Sequence, residues 1–183
     1  MIQNIITDFD GTLVDTSYAN YLAYSCAFDS LGLYNFDDRY YRYFGVRFNE
    51  LCDIFEVPKD EQLRAELKRL KAKYYEEYFD QITLNEKLVD FIFSTSCHTA
   101  IASTASRNNL VAVLRFFDLR PEMFDAVITG EDVTNGKPNP EVYYKAMEKL
   151  GCTSNSVLVF EDSEVGIAAA QNAGINNIIK VVI

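Results

Sequence analysis

Short apolar runs, each followed by polar residues, recur along the chain and have the length of buried β-strands. The first run, MIQNIITD, opens the sequence. Four more follow in the second half of the chain, and these are HTAIAST, DAVIT, SVLVFED and NIIKVVI. We predict a strand in each of these five runs.

Segments with apolar residues at helical spacing separate the predicted strands. They are NEKLVDFIFSTS, RNNLVAVLRFF, PEVYYKAMEKLG and SEVGIAAAQNAG. The third has Pro140 near its start and Gly151 after its last turn, and the fourth ends at Gly174, which are the positions these residues favour in helices. Alternating strands and helices predict an α/β fold with a doubly wound, Rossmann-like parallel sheet covered by helices on both faces.

One segment interrupts this alternation, because residues 16–82 contain helical patterns and no convincing strand. The two longest patterns are SYANYLAYSCAFDSLG and DEQLRAELKRLKAKYYEEYF, and ten of the 12 tyrosines of the chain lie in this segment. A small helical unit needs bulky rings for packing. We therefore predict an α/β core of residues 1–15 and 83–183 and a helical cap domain of residues 16–82, which acts as a lid with hinges near residues 14–17 and 80–84.

Length and composition place the chain among globular proteins. Its 183 residues suffice for one domain, or for one domain with a small insert, and 49% of them are hydrophobic. The formal net charge of −10 disfavours binding to nucleic acid or to an anionic membrane. We predict small-molecule partners, held through a cation where they carry phosphate.

The cysteines and the N-terminus indicate a reducing compartment. Cys26, Cys52, Cys97 and Cys152 form no Cys-x-x-Cys pair, so we predict buried free thiols and neither a zinc site nor a disulfide framework. The sequence opens without a basic leader, and no apolar run approaches the roughly 20 residues that a membrane helix needs. We predict a cytoplasmic protein.

Two aspartates end the first predicted strand, in the sequence IITDFDGT. Asp8 and Asp10 lie where open parallel sheets bind their ligands, and their spacing in an extended chain points both side chains to the same side. Such a pair suits a nucleophile with an acid/base partner, a site for a hard cation, or both. Acidic residues at strand ends are also common without any such role, so the pair is not decisive alone.

Two later stretches add groups of the kind that can bind phosphate. IASTASRNN ends a predicted strand in Ser103 and Thr104, before a helix that begins near Ser106. The hydroxyls and the backbone N–H groups there could hold phosphate oxygens, although a plain helix cap at Ser106 explains the pattern equally well. TNGKPNPE places Lys137 in a rigid loop, where it is either a counter-charge for a phosphoryl group or an ordinary exposed lysine.

A second acidic pair follows the strand VLVFED, where Glu161 and Asp162 precede a helix. In a doubly wound sheet this pair lies at the same edge as Asp8 and Asp10. Four carboxylates in a partly dry cleft repel one another strongly. A divalent cation resolves that conflict, and Mg²⁺ is favoured because all the candidate ligands are oxygens and a substrate held by these groups would itself be a phosphate.

These four stretches, taken in order, resemble the motifs of the haloacid dehalogenase superfamily, in particular its phosphatases with a helical cap after the first motif, such as the β-phosphoglucomutase and phosphoglycolate phosphatase types. DFDGT is similar to the first motif, Thr104 to the second, Lys137 in GKPNP to the third, and EDS at 161–163 to the fourth. The likeness covers essentially the whole chain.

The resemblance implies a Mg²⁺-dependent phosphatase that hydrolyses a small phosphorylated metabolite. Asp8 is implied as the nucleophile that forms an aspartyl-phosphate, and Asp10 as the general acid and base. Thr104 and Lys137 are implied to bind the phosphoryl oxygens. The implied metal ligands are the Asp8 and Asp162 carboxylates and the Asp10 backbone carbonyl, with Glu161 reaching the metal through water. An aspartate at position 10 favours phosphate esters over the substrates of dehalogenases and phosphonate hydrolases.

The stretch RYYRYFGVRF concentrates Arg39, Arg42 and Arg47 in an otherwise acidic chain. In capped relatives a cap loop of this kind faces the reacting centre. We hypothesise that Arg47 contacts a second anionic group of the substrate; the alternative is a solvated cationic face with rings packed beneath it.

Two other functions remain open. A phosphosugar mutase of the β-phosphoglucomutase kind shares the nucleophile and the metal, but its cap-helix histidine corresponds to Asn20 here, and the only histidine, His98, lies outside the cap and is interpreted as structural. A noncatalytic binding or regulatory protein on this scaffold is expected to lose a motif residue, and none is lost. Relatives commonly continue for another strand and helix, so the last strand is expected to be an unprotected sheet edge, which invites either dimerisation or a covering element that the pattern does not show; we expect a monomer or a homodimer.

Overall fold

The computed structural model describes the whole chain, residues 1–183. In chain order the elements are β1 (Asn4–Thr7), β2 (Val14–Asp15), α1 (Ser17–Ser30), α2 (Phe48–Ile54), α3 (Glu61–Glu76), β3 (Thr83–Leu84), α4 (Glu86–Ser94), β4 (His98–Ala102), α5 (Arg107–Phe116), β5 (Ala126–Ile128), α6 (Glu141–Leu150), β6 (Val157–Glu161), α7 (Glu164–Asn172) and β7 (Ile178–Lys180). Short 3-10 turns lie between several of them.

Five strands form one parallel sheet in the order β5-β4-β1-β6-β7. β1 is central, and Ile5 pairs with Thr99 of β4 on one side and with Leu158 of β6 on the other. The sheet contains a strand from each of the five predicted runs, and each predicted helix of this part of the chain forms. The predicted α/β fold is therefore confirmed.

The main core lies between the sheet and the helices that follow its strands. Ile6, Ala100 and Val159 from three adjacent strands are fully buried together with Val142 and Tyr143 of α6. Polar residues at the carboxyl ends of β1 and β6 are buried as well, among them Asp8 and Glu161. β1 and β6 are neighbours, which brings the residues after Thr7 and the end of β6 to the same edge of the sheet.

The chain divides into two compact units. The first, called here the α/β unit, comprises Met1–Asp15 and Leu84–Ile183, and the second, called the helical unit, comprises Thr16–Thr83. The two segments at the division, β2 and β3, pair with each other in a two-stranded sheet. The sequence pattern missed this pairing because two residues are too few to show a strand period.

The helical unit is built on α1 and α3, which pack against each other. Its core is aromatic, as expected from the tyrosine content. Phe36 packs 4.8 Å, centroid to centroid, from both Phe28 and Phe55, and several tyrosines surround them. The ammonium of the buried Lys71 lies 4.0 Å from the ring centroid of Tyr75. Most of the tyrosines are therefore packing residues.

The four cysteines are free, as predicted, but only Cys52 is fully buried. Cys26, Cys97 and Cys152 are half-buried, and the Cys26 thiol finds a polar partner in the hydroxyl of Tyr78 at 3.1 Å. The prediction of uniformly buried thiols is therefore wrong, because the packing of this fold leaves three of them near its surface.

Two smaller observations bear on the predicted chemistry. His98 begins β4 at an exposed position, where its Nδ1 lies 3.3 Å from Asp125 Oδ1. This contact agrees with a structural role. None of the helices has both the length and the apolar character required to cross a bilayer.

Candidate active site

The first acidic pair lies on a tight turn at the end of β1. The Asp8 N–H donates to Phe160 O at 2.9 Å, which continues the pairing of β1 with β6. The N–H groups of Leu13 and Val14 then both donate to Phe9 O, at 2.9 and 3.1 Å. Gly11 has φ +85°, a conformation that favours glycine, and it lets the chain reverse here. Asp8 is buried, and Asp10 is half-buried in the turn.

The same turn positions the second acidic pair. Thr12 Oγ1, itself buried, donates to Asp162 Oδ1 at 3.2 Å. A Cβ at position 11 would overlap the Asp162 carboxylate, so only glycine leaves room for it. Carboxylate oxygens of Asp8, Glu161 and Asp162 lie within 4.8 Å of one another. The structure thus brings these three predicted residues together at one edge of the sheet.

Lys137 lies in the middle of this acidic cluster. Its side chain is only 7% exposed, which excludes the interpretation as an ordinary surface lysine. Its ammonium donates to Asp8 Oδ1 at 2.6 Å and also to Glu161 Oε1. Because Lys137 comes from the loop before α6, three separate stretches of sequence meet at one ammonium group.

Glu161 is fully buried and accepts hydrogen bonds on both carboxylate oxygens. Oε1 accepts from Lys137 and, at 3.0 Å, from the hydroxyl of Tyr143. Oε2 accepts from the N–H and the Oγ of Ser163, at 3.2 and 3.1 Å. Sequence reasoning did not single out Tyr143; the available signal was a tyrosine on the apolar face of a helix, since a buried hydroxyl requires a partner.

The start of α7 is shaped around the Glu161 carboxylate. Ser163 caps this helix by accepting from the Gly166 N–H at 3.0 Å. A Cβ at position 166 would overlap the carboxylate of Glu161. Alanine is the better helix former by roughly 0.5–1 kcal/mol. Glycine is nevertheless required at position 166, because it leaves room for the Glu161 carboxylate. Glu161 is consequently fixed from three sides.

The cluster carries an excess of buried negative charge. Burial raises the pKa of Asp8 well above its usual range; Lys137 opposes this shift and Glu161 adds to it. Burial alone would lower the pKa of Lys137, but Asp8 and the other groups around it raise that pKa well above its usual value. Burial and Glu161 raise the pKa of Asp162 as well. One ammonium therefore does not neutralise the site.

The donor set fits a hard divalent cation, since the cluster offers only carboxylate oxygens and has charge left to compensate. Both oxygens of Glu161 already accept protein hydrogen bonds. Asp8 and Asp162 are accordingly the carboxylates best placed to be direct ligands, and Glu161 is better suited to holding Lys137.

The second motif lies at the end of β4. Ser103 is buried; its N–H donates to Ile128 O and its Oγ accepts from the Ala105 N–H, both at 3.0 Å. Thr104 is exposed and is not joined to Asp8 or Lys137 by a hydrogen bond. The predicted role of Thr104 remains a prediction.

The first turn of α5 has internal hydrogen-bond partners. Ser106 Oγ accepts from the Asn109 N–H at 3.3 Å, so the expected plain helix cap is present. Glu131 Oε2 accepts from the Arg107 N–H at 2.9 Å. Two of the backbone donors that were candidates for phosphate binding are thus already used.

The three arginines of the predicted cationic stretch differ in their surroundings within the helical unit. Arg39 binds the Asp37 carboxylate with its Nε at 2.8 Å. Arg42 and Arg47 are exposed. Arg47 directly precedes α2 and lines a surface cleft with Arg64 and other residues of α2 and α3. Arg47 therefore retains access to solvent.

Comparison with characterised proteins gives consistent matches. A phosphorylated carbohydrates phosphatase of Thermotoga maritima is 31% identical in an alignment of 186 positions, which covers 99% of this chain and 86% of that protein. A pyrophosphatase PpaX of Bacillus cereus is 26% identical over 178 residues, which cover 94% of this chain and 80% of that protein.

Solved structures match over nearly the same span. CbbY from Rhodobacter sphaeroides in complex with phosphate has a TM-score of 0.86 at 26% identity, covering 99% of this chain and 87% of that one, and the same values hold for a mutant of CbbY in complex with xylulose-(1,5)bisphosphate. A β-phosphoglucomutase from Clostridium difficile has a TM-score of 0.80 at 24% identity, covering 96% of this chain and 82% of that one, and shares the fold.

The model of the haloacid dehalogenase-like hydrolase family matches residues 5–180, a span that contains every group of the acidic cluster and Lys137. The resemblance carried by the four sequence motifs is thereby confirmed. The chain belongs to the haloacid dehalogenase-like hydrolase family.

Proposed function

We propose that this protein is a Mg²⁺-dependent phosphatase that hydrolyses a small phosphorylated metabolite through an aspartyl-phosphate intermediate. The observation that carries this proposal is the burial of the Lys137 ammonium between Asp8 and Glu161, with Asp162 in the same cluster. A fixed cation beside a buried carboxylate at a sheet edge suits transfer of a dianionic group to that carboxylate.

The proposed reaction has two steps. In the first, an Asp8 carboxylate oxygen forms a bond to phosphorus while the bond to the ester oxygen breaks, and Asp10 gives its proton to the departing alcohol. In the second, Asp10 takes a proton from a water molecule whose oxygen bonds to phosphorus, and the bond to Asp8 breaks. Inorganic phosphate leaves, and both aspartates return to their starting states.

The remaining residues hold the phosphoryl group and its charge. Lys137 and Thr104 are proposed to bind the phosphoryl oxygens. Asp8, Asp162 and the backbone carbonyl of Asp10 would hold Mg²⁺. When bound, the cation offsets the charge of the carboxylates and of the phosphoryl group. The α/β unit is proposed as the catalytic domain and the helical unit as its cap.

A screen for phosphate release tests this function. Sugar phosphates, nucleotides, phosphoglycolate and an aryl phosphate are incubated with the enzyme, with Mg²⁺ and with a chelator. We expect release from at least one sugar phosphate with Mg²⁺ and none with the chelator, and the Asp8→Asn variant serves as the blank. Release by this blank equal to that of the wild type would reject the mechanism.

A phosphosugar mutase is the second candidate, favoured by the shared fold of the β-phosphoglucomutase neighbour. Against it, the resemblance matches Asn20 to the mutase histidine, and the Asn20 Nδ2 donates to Thr16 O at 3.0 Å within the first turns of α1. The same screen separates the two functions when sugar bisphosphates are included. Interconversion of sugar phosphate isomers without net phosphate release would favour the mutase.

The Arg47→Ala variant is expected to raise KM for a bisphosphate about tenfold or more, because a hydrogen bond between charged groups contributes roughly 1.5–3 kcal/mol. The reason is the proposed contact of Arg47 with a second anionic group, a role in keeping with the bisphosphate bound to the CbbY mutant. KM for a simple aryl phosphate should not change. The measurement is steady-state kinetics on both substrates.

The matched control is Arg42→Ala, which removes another exposed arginine of the same unit. It should leave both KM values unchanged. Equal effects of Arg47→Ala on the bisphosphate and the aryl phosphate, or equal effects of the two arginine variants, would contradict the role given to Arg47.

A further inference from the structure

Tyr143 contacts the acidic cluster from the main core, although none of the four sequence motifs includes it. Tyr143 is fully buried on the inner face of α6, in the main core. Its hydroxyl donates to Glu161 Oε1, the same oxygen that accepts from Lys137. The Lys137 ammonium also lies 5.4 Å from the centroid of the Tyr143 ring. Tyr143 therefore touches both partners of the ion pair that adjoins Asp8.

The hydroxyl of Tyr143 is not needed for packing. A phenylalanine ring would fill the same volume in the core, whereas a buried hydroxyl is costly unless it is hydrogen-bonded. The only other tyrosine outside the helical segment, Tyr144, is its neighbour in sequence and is half exposed; its hydroxyl donates to Asn172 O on the protein surface. Two adjacent tyrosines of α6 thus place their hydroxyls in different surroundings, one in the core and one at the surface.

The charge balance at Glu161 indicates what the hydroxyl does. Oε1 accepts from two donors, and Oε2 is already engaged by Ser163. Without the hydroxyl, the Lys137 ammonium would be the one remaining hydrogen-bond donor to Oε1. That ammonium would then be drawn toward Glu161 and away from Asp8 Oδ1, with which it makes its 2.6 Å contact.

We propose that Tyr143 is a positioning residue, which acts through Glu161 to keep the Lys137 ammonium against Asp8. This inference rests on the proposed function, because it assigns to Tyr143 the placement of the cation that stabilises the transferring phosphoryl group. The role proposed for Tyr143 involves no contact with substrate or metal.

The test compares Tyr143→Phe with Tyr144→Phe, which removes a hydroxyl one residue away on the same helix. Tyr143→Phe should lower kcat about tenfold, the effect of one lost hydrogen bond to a charged group, and change KM less than twofold. Tyr144→Phe should match the wild type in both. kcat is expected to change more than KM because the ammonium stabilises the transition state, where charge builds up on the transferring phosphoryl group, more than it stabilises the bound substrate.

A spectroscopic measurement separates positioning from a general loss of structure. Fluoroberyllate mimics a phosphoryl group on an aspartate, and its ¹⁹F resonances report the charges around it. In the presence of Mg²⁺, Tyr143→Phe should shift the resonance of the fluorine nearest Lys137, and Tyr144→Phe should leave the spectrum unchanged. An unchanged spectrum for Tyr143→Phe would overturn the proposal.

A double variant tests whether the effect passes through Glu161. Glu161→Gln keeps the shape of the side chain and removes its charge, so adding Tyr143→Phe to it should cause less than a twofold further loss. Effects that multiply would overturn the proposal, since they show that Tyr143 acts independently. Absence of phosphate release by the wild type on every substrate would instead overturn the proposed function, whereas an active wild type and an equally active Tyr143→Phe would overturn only the role of Tyr143.

Discussion

Replacing Asp8 by asparagine is expected to lower phosphate release roughly 10⁴-fold or more, the scale found when a covalent nucleophile is removed. In the absence of divalent metal, the same variant is expected to melt at a higher temperature than the wild type at pH 7.5. The first effect follows from the loss of the proposed nucleophile. The second follows from the burial of Asp8 beside Glu161, which is unfavourable for a charged side chain.

The pH dependence of this second effect has a definite sign. The pKa of Asp8 is higher in the folded than in the unfolded protein, where it is about 3.9. Between those two values the folded protein binds more protons, so its free energy of unfolding falls as the pH rises. The advantage of Asp8→Asn should therefore be small near pH 4 and grow toward neutral pH.

Melting curves of both proteins in chelator, from pH 4 to pH 8, provide the measurement. A gain of about 1 kcal/mol corresponds to roughly 2–4 °C for a protein of this size. Added Mg²⁺ should raise the melting temperature of the wild type more than that of the variant, because the variant lacks a proposed ligand. An Asp8→Asn protein that melts below the wild type at neutral pH would show that burial of the charge is not the dominant effect.

Replacing Lys137 by methionine is expected to remove both activity and stability. The change leaves Asp8 and Glu161 buried without their cation, and removal of one partner from a buried ion pair costs about 3–5 kcal/mol. Phosphate release should fall about 10³-fold, because the transferring phosphoryl group loses its fixed counter-charge. Denaturant unfolding and steady-state kinetics measure the two losses.

Two further variants define how that result is interpreted. Lys149→Met, at an exposed position late in α6, should match the wild type in both measurements. Glu161→Gln combined with Lys137→Met should recover part of the lost stability and none of the activity, since it removes one of the two stranded charges. A stable and active Lys137→Met protein would contradict the role assigned to this ammonium.

The fold could be predicted because its signals are local. Strands buried on both faces are continuous apolar runs, and β1, β4 and β6 each occur in such a run. The helices carry their own boundaries, for example Gly151, whose left-handed conformation ends α6. By contrast, α2 and the pairing of β2 with β3 were not predicted, because these elements are too short to show a period.

The candidate site could be predicted in its acids but not in its contacts. Asp8 and Asp162 stand at strand ends, and the topology alone brings such ends together. The burial of Lys137 could not be derived from its loop, since its partners lie 129 and 24 residues away in sequence. Tyr143 was missed for the same reason: its pattern on α6 is that of any core residue, and only the folded structure places its hydroxyl on Glu161.

The hydrogen bonds that Asn85 makes where the chain re-enters the α/β unit bear on how the helical segment can change in evolution. The N–H of Asn85 donates to Leu13 O at 2.9 Å and its Nδ2 donates to Thr12 O at 3.1 Å, so the turn after β1 and the residue that caps α4 are hydrogen-bonded to each other inside the α/β unit. The helical unit, Thr16–Thr83, therefore lies in sequence between two segments that are hydrogen-bonded to each other. Evolution can therefore lengthen, shorten or exchange the segment between these two attachment points while the hydrogen bonds of the acidic cluster in the α/β unit keep their register.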